Sequence, residues 1–366
     1  MLHAGIVGLP NVGKSLLFNA LTNSEVSFGN FLFSTIKANV GVVQLEDERL
    51  DKLALLHHSR KTVPTAFEIV DVPALVSGSS LGEGIGNQFL SSIRNVDAVC
   101  HLVRCFSDDE ILHVNEKLDP LSDIDTIQLE LNYTDLDSIY KRIPRLEKKA
   151  RLDKSSLEKR EYDLLLKLQE NLENDIPIRR IQLSDEEEKL IKSYNFLSQK
   201  PLLYIANVSE TDFSDLTNNK YYAQVLKRAQ EEEVTVIPIC ATLEYELKNL
   251  DSNDQRLFLD DLNIEESGIN TLAKAVYETL GLSTFFTTGE DETKAWTFKN
   301  GLGAKQCAGI VHSDFERGFI RAEVVKYDDL IAYGSYQKCK ENGKFRLEGK
   351  DYQVKDGDTI VFRFNV

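Results

Sequence analysis

Gly8-Leu9-Pro10-Asn11-Val12-Gly13-Lys14-Ser15 is the stretch whose reading decides the fold. An apolar run, Leu2-His-Ala-Gly-Ile-Val7, precedes it, and Leu16-Leu17-Phe18-Asn19-Ala20-Leu21 follows. The first flank predicts a buried strand and the second a helix. That is the setting in which G-x-x-x-x-G-K-[ST] wraps a phosphate. Gly8 and Gly13 let backbone N–H groups close around an anion with no Cβ in the way. The helix start adds its partial positive charge. Asn11, Val12, Gly13, Lys14, Ser15 and Leu16 are therefore the candidate phosphate-binding residues. Lys14, the one candidate catalytic side chain, should reach the β- and γ-phosphates, and the Ser15 hydroxyl should ligate Mg.

Bulk properties narrow the classes around this motif. A chain of 366 residues suits two to three domains, and 42% hydrophobic residues can build a core. A formal net charge of −16 argues against non-specific coating of nucleic acid, so any RNA contact needs a local basic patch. Cys100, Cys105, Cys240, Cys307 and Cys339 are odd in number and scattered. Reduced, mostly buried thiols in the cytoplasm explain them better than disulfides, although a redox role stays open. Neither a signal peptide nor an apolar run of membrane-spanning length is expected.

Along the chain, residues 24–35 read as a loop ending in Phe31-Leu32-Phe33-Ser34-Thr35, and Thr35 stands where nucleotide switches keep a second Mg ligand. Strands are expected at Asn39 to Leu45 and Ala66 to Val72. The second runs into Asp71-Val72-Pro73-Ala74-Leu75, where Asp71 is the expected Mg partner through water. Ala74 occupies the position whose N–H would touch the γ-phosphate, usually a Gly. A positive φ there would cost energy. Leu75 replaces the Gln that often orients attacking water, and it cannot hydrogen-bond. Four glycines between Gly78 and Gly86 mark a mobile switch loop. A helix from Gln88 to Asn95 and a strand from Ala98 to Val103 follow. His101, inside that strand, is either a catalytic helper or a buried core histidine, and burial is the simpler reading.

From Leu129 to Leu197 the pattern becomes helical. Leu136, Ile139, Ile143 and Leu146 step by 3, 4 and 3, as do Leu165, Leu168 and Leu172 by 3 and 4. Two antiparallel helices projecting from the nucleotide domain are expected, turning near Arg151 to Ser156. Lys141 to Arg160 holds nine Lys/Arg and three Asp/Glu, net +6 on an acidic chain. This is either a solvated face or an arm that docks on RNA phosphates.

Pro201 to Ala206 predicts another buried strand, ending at Asn207-Val208-Ser209-Glu210. Guanine-binding proteins carry Asn-Lys-x-Asp at this point, the Asp accepting from guanine N1–H and its exocyclic amine. Val208 and Glu210 depart from that. The Asn207 amide could instead pair with adenine, so relaxed or adenine-preferring recognition is expected. Val234 to Cys240 is a further strand, and Cys240-Ala241 could give backbone contacts to the base. A helix from Gly268 to Leu280 ends at Gly281. The last ~85 residues form a small α+β module by the usual domain-size prior. Strands are expected at Ala295 to Phe298 and Gly318 to Val325, with two more in Lys350 to Val366 turning at Asp356-Gly357, and one helix between. His312, Asp314 and Arg317 suit a structural or partner-contact role.

Together these motifs resemble the YchF/Obg-like ATPase family of P-loop NTPases. The residues that carry the resemblance are Gly8 to Ser15, Gly82-Glu-Gly-Ile-Gly-Asn87, Val103-Arg-Cys-Phe106, Asn207 to Glu210 and Asp314-Phe-Glu-Arg-Gly-Phe-Ile-Arg-Ala-Glu323. The resemblance implies an α/β P-loop NTPase fold with a mostly parallel sheet. An Obg-type nucleotide domain would span 1–128 and 198–281, an antiparallel coiled-coil insertion 129–197, and a TGS domain of β-grasp fold 282–366. It implies ATP hydrolysis preferred over GTP, Mg on Ser15 and Thr35, and ribosome binding by a cytoplasmic monomer. Family members carry a hydrophobic residue where Leu75 stands. They keep Asp-x-Ala-Gly-Leu, so Pro73-Ala74 is a departure that bears on hydrolysis more than on binding. A conventional GTPase and a nucleotide-gated binding module with negligible turnover are the alternatives.

Overall fold

A computed structural model describes residues 2–22, 39–75, 85–108, 111, 117–153, 155–262, 264 and 266–365. Thr35, the loop at 24–35 and most of the glycine-rich segment at 78–86 lie outside them. The chain forms two compact units, Met1–Val42 with Glu68–Leu272, and Val43–Phe67 with Ala273–Val366.

The first unit is laid down on a sheet whose strands are near-continuous apolar runs. They are β1 (His3–Val7), β2 (Asn39–Gln44), β4 (Ala66–Asp71), β5 (Ala98–Arg104), β6 (Leu202–Asn207) and β7 (Thr235–Ile239). The strand order is β2-β4-β1-β5-β6-β7. β4–β1–β5–β6–β7 pair in parallel. β5 is buried at every residue, as a central parallel strand covered on both faces must be. Helices α1 (Lys14–Leu21) and α3 (Ile85–Arg94) belong to this unit, whereas the intervening α2 (Glu48–His57) and β3 (Thr62–Val63) belong to the second.

The arm opens from a helix that starts nine residues before Leu129, because Asp119 caps Ser122 N and Pro120 sits in the first turn. It consists of α4 (Pro120–Leu152) and α5 (Leu157–Glu173), capped at its tip by Ser156. Leu136, Ile139, Leu146, Leu165, Leu168 and Leu172 form its core, and Ile143 packs at the margin. The seam read from the 3, 4 spacing is the one that is buried. α6 (Asp185–Ile191), α7 (Glu210–Phe213), α8 (Lys220–Glu232), α9 (Ala241–Leu247), α10 (Ser252–Asp261) and α11 (Gly268–Thr279) complete the first unit's helices, α11 running across the unit boundary.

The second unit holds β8 (Leu282–Thr288), β9 (Thr293–Lys299), β10 (Phe319–Lys326), β11 (Arg346–Glu348) and β12 (Asp358–Phe364), in the order β11-β10-β12-β8-β9-β3. Its centre is the parallel pair β12–β8, flanked by antiparallel partners, as a β-grasp arrangement expects. α12 (Ala304–Val311) and α13 (Ser313–Arg317) cover one face, over Phe285, Phe298 and Val324. α14 (Tyr327–Tyr333) and α15 (Tyr336–Glu341) share the other with α2, whose Leu50 and Leu53 pack with Phe286 and Val325. Residues 43–67 thus group with the C-terminal unit, while Val43-Gln44 and Ala66-Phe67 are the ends of β2 and β4. Four helices replace the single one expected there. Lys350 to Val366 supplies one strand instead of two, with Gly357 at positive φ before it. No helix among the described residues is long and apolar enough to cross a membrane.

Candidate functional site: a phosphate loop tied to a base loop

The P-loop turns between β1 and α1 with Asn11 and Gly13 both at positive φ, 64° and 94°. Such backbone is natural for Gly and tolerated by Asn. Gly8 is required by space, since a Cβ would sit 2.9 Å from the Leu102 carbonyl and from Val12. Gly13 is required twice, by its φ and because a Cβ would strike the Asn207 amide. Lys14 and Ser15 open α1; Ser15 is exposed and Leu16 half-buried.

Lys14 Nζ donates to Asp71 Oδ1, and both side chains are largely shielded from solvent. Parallel pairing sets Asp71 opposite Ile6, one residue short of the start of the P-loop turn. The sequence-predicted lysine and acid therefore meet. Ala74 is half-buried and is not among the residues of positive φ, so the strain expected from losing the glycine is not incurred. Leu75 is buried among the core hydrophobics.

Asn207 is buried at the end of β6 and has partners at both ends of its amide. Nδ2 donates to the Val12 carbonyl at 2.9 Å, and Oδ1 accepts the Ala241 amide at 3.1 Å. These bonds make Asn207 a tie between the P-loop and the start of α9, and they stand beside the expected contact with the purine, since Nδ2 carries a second N–H. Val208 is buried, its amide donating to the Ile239 carbonyl. Ser209 caps α7 through Asp212 N, leaving Glu210 exposed in the first turn. Glu210 lies close enough to Cys240 to help raise its thiol pKa, although burial is the larger cause. Cys240 Sγ itself sits 3.1 Å from the Thr242 hydroxyl. Val208, Glu210, Cys240 and Ala241 thus gather beside the P-loop through Asn207.

Two residues that sequence reasoning missed hold this frame. Lys248 Nζ caps the end of α1 through the Asn19 and Thr22 carbonyls, at 2.5 and 2.7 Å. Glu244, buried on α9, accepts from Gly268 N at 2.6 Å, and burial pushes its carboxyl up to about 7. Its only signal in sequence is an acid at a helical step between Leu243 and Leu247, on the apolar side. Arg104, in the Val-Arg-Cys-Phe stretch, is buried and donates to the Phe106, Asp108 and Ile111 carbonyls at 3.0–3.1 Å. It shapes the loop after β5. His101 is buried, and desolvation first and Arg179 second lower its pKa to about 3. It is a core histidine. His312 caps Asp314 N at 3.2 Å and lies 3.5 Å from its carboxylate, a local structural role.

The arm's charge is smaller than its sequence window suggests. Among the described residues Lys141, Arg142, Lys149, Arg151, Lys159 and Arg160 each face a carboxylate within 3.3 Å. Four of the acids, Asp137, Glu161, Asp163 and Glu186, lie outside the 141–160 window.

The family model described as "50S ribosome-binding GTPase" matches residues 3–134. A second, YchF-GTPase_C, described as "Protein of unknown function (DUF933)", matches 282–365. The chain is 52% identical to the Ribosome-binding ATPase YchF of Bacillus subtilis, covering 100% of both chains. The YchF protein of Haemophilus influenzae is 50% identical over 99% of each. This chain belongs to the YchF family. The solved YchF GTPase of Schizosaccharomyces pombe, at 35% identity and a TM-score of 0.87, covers 99% of this chain and 97% of that one. The YchF fold therefore extends over the whole molecule, and the N-terminal site is that of a P-loop NTPase.

P-loop NTPases of this kind use Mg. The donors here are a serine hydroxyl and a carboxylate, hard oxygens that fit that ion. Among the described residues no three His, Cys, Asp or Glu side chains gather into a metal site. A metal held here would therefore draw ligands from the nucleotide phosphates as well as from Ser15 and Asp71.

Proposed function

We propose that this YchF protein is a Mg-dependent ATPase, preferring ATP to GTP, that acts as a nucleotide-controlled switch on the large ribosomal subunit in the cytoplasm. The observation that carries the reading is the Asn207 tie between the P-loop and the Val208–Glu210 and Cys240–Ala241 loops. It supports a reading in which one frame serves both triphosphate and purine. The full-length relatives, named ribosome-binding ATPases, supply the partner.

In this reading the amides from Asn11 to Leu16 hold the phosphates and Lys14 neutralises charge developing on the γ-phosphoryl. Ser15, Thr35 and, through water, Asp71 would hold Mg, which would supply electrostatic stabilisation when bound. The Ala74 N–H donates toward the γ-phosphate. No side chain is assigned as general base, because Leu75 is buried and apolar. Turnover is accordingly slow without an activating partner. Glu210, exposed beside Cys240, can accept from adenine's exocyclic amine. Val208 cannot pack a base with a cationic stem as a lysine would. On the arm, Arg145 and Lys148 are exposed with no ion pair among the described residues, and they are the cations left for rRNA phosphates. The protein works as a monomer.

A GTPase is the second reading. It is favoured by the description of the N-terminal family model. Competition binding with both nucleotides, and turnover with and without purified ribosomes, separates the two. GTP binding at least tenfold tighter than ATP would overturn the adenine preference. Failure to pellet with ribosomes in any nucleotide state would overturn the switch.

A further inference from the structure

The second unit carries a polar device on its sheet that neither the nucleotide site nor the fold requires. In β10 and β12, Phe319 pairs with Phe364 and Arg321 with Arg363, so Ile320 is an extra residue in β10. This bulge sets Ile320 and Arg321 together opposite Arg363, and bulges re-aim side chains in this way. Phe319 and Ala322 pack into the core under α12, whereas Ile320, Arg321 and Arg363 are exposed. Glu323 is the next residue on the outer face. It is 7% exposed and lies opposite Val361 on β12 and Leu347 on β11.

Glu323 clamps both arginines. Arg321 donates one terminal nitrogen to Oε1 at 3.2 Å, and Arg363 one to Oε2 at 2.9 Å. Those bonds, Arg363's first, hold the Glu323 carboxyl below its ordinary range. Among the described residues each guanidinium keeps its Nε and its other terminal nitrogen for a further acceptor. The arginine side chains are 49% and 56% exposed. They are pre-oriented, so binding an anion costs them little further ordering. Leu347 and Ile320, both more than half exposed, flank the pair. Towards Val325 the same face is closed by α2, α14 and α15, but no helix covers this end among the described residues.

We infer that Ile320, Arg321, Glu323, Leu347 and Arg363 form a docking face for an RNA strand, with Arg321 and Arg363 gripping one backbone phosphate. Charge complementarity selects the occupant. Two arginines on one carboxylate leave a local positive charge on a chain of net −16. Guanidinium edges match a phosphate's oxygens, and the flanking apolar side chains suit the faces of unstacked bases. The inference rests on the ribosome reading and assigns part of the contact to the sheet of the C-terminal unit.

The test uses the full chain with two probes, a labelled single-stranded RNA oligonucleotide read by anisotropy and purified ribosomes read by pelleting. The triple variant R321Q/E323Q/R363Q removes the charges and keeps amide hydrogen bonds. Ile320→Glu, at an exposed position, adds a carboxylate beside the guanidiniums and guards against misfolding of the triple variant. Each should bind RNA at least tenfold more weakly. The triple variant's log–log salt slope should be shallower by about 1. ATP turnover without ribosomes should be unchanged. Unchanged RNA affinity in folded variants would overturn the inference. So would lost pelleting with RNA binding intact, which would point to an acidic protein partner. If the wild type binds RNA and depends on these residues but does not pellet, the ribosome reading fails and the RNA face stands.

Discussion

Asn207 holds Val12: the side-chain amide at the end of β6 donates to the P-loop carbonyl at 2.9 Å, and the same amide's oxygen takes the first N–H of α9. One buried side chain thus sets the distance between the phosphate loop and the loop that follows β7. Removing it leaves a buried carbonyl and a buried N–H without partners, each costing about 1–3 kcal/mol, and the Val12 carbonyl is the one on the phosphate loop. Asn207→Ala should therefore weaken ATP and GTP together, roughly 5- to 150-fold. Parallel titrations with both nucleotides check this. Loss of ATP binding alone would mean that the amide reads the base directly.

Lys14 and Asp71 form a shielded pair at the mouth of the P-loop. Lys14→Ala removes the charge proposed to face the γ-phosphoryl and should lower turnover by about 10²–10³. Asp71 is then left without its lysine. Single-turnover phosphate release, compared with binding of a non-hydrolysable analogue, separates lost chemistry from lost affinity.

If Ser15 directly and Asp71 through water hold Mg, as proposed, nucleotide binding is metal-dependent. ATP with Mg should raise the melting temperature, by linkage of binding to folding. Chelation with EDTA should remove most of that rise, and Ser15→Ala should require more Mg to restore it. Thermal shift at fixed ATP and varied Mg is the measurement. An EDTA-insensitive rise would contradict the assignment.

Glu244 makes stability depend on pH. Its folded pKa of about 7 lies above the ordinary carboxyl value, because burial disfavours the charged form. The folded state binds the extra proton, so this contribution is fully present below the ordinary pKa near 4.5 and is lost as pH rises through about 7. Glu244→Gln keeps an acceptor for Gly268 N without the charge. It should be more stable than wild type at pH 8, by up to about 3 kcal/mol, and no more stable at pH 4. Urea midpoints of both proteins across that range test the sign. Asp135, also raised by burial, to about 6, acts in the same direction and is common to both proteins.

Arg104 organises the turn after β5 with three carbonyls. Lysine keeps the charge but not the planar fork. Arg104→Lys should cost about 2–4 kcal/mol, seen as a lower urea midpoint at unchanged slope. An unchanged midpoint would show that the Val-Arg-Cys-Phe stretch is not structural.

Strands β1, β4, β5, β6 and β7 were legible because a covered parallel strand must be apolar along its whole length. The arm's seam was legible because helical period and burial coincide at Leu136, Ile139 and Leu146. α2 was not. Its partners, Phe286 and Val325, lie more than 200 residues further along, so nothing local announces that residues 43–67 belong to the C-terminal unit. In the basic window at Lys141–Arg160 the pairing is hidden likewise, since Glu161, Asp163 and Glu186 lie outside it.

The order of residues alone determined the P-loop, because phosphate wrapping needs two glycines, a lysine and a serine at set spacing between a strand and a helix. It determined the parallel sheet and the helical hairpin, because their periodicities are local. Tertiary structure decided which side chains touch. It made Asn207 a tie between two loops, buried Leu75, paired six of the arm's cations and brought Arg321, Glu323 and Arg363 together. Hydrogen bonds and ion pairs act over about 3 Å between residues far apart in sequence, and no spacing rule along the chain encodes that distance.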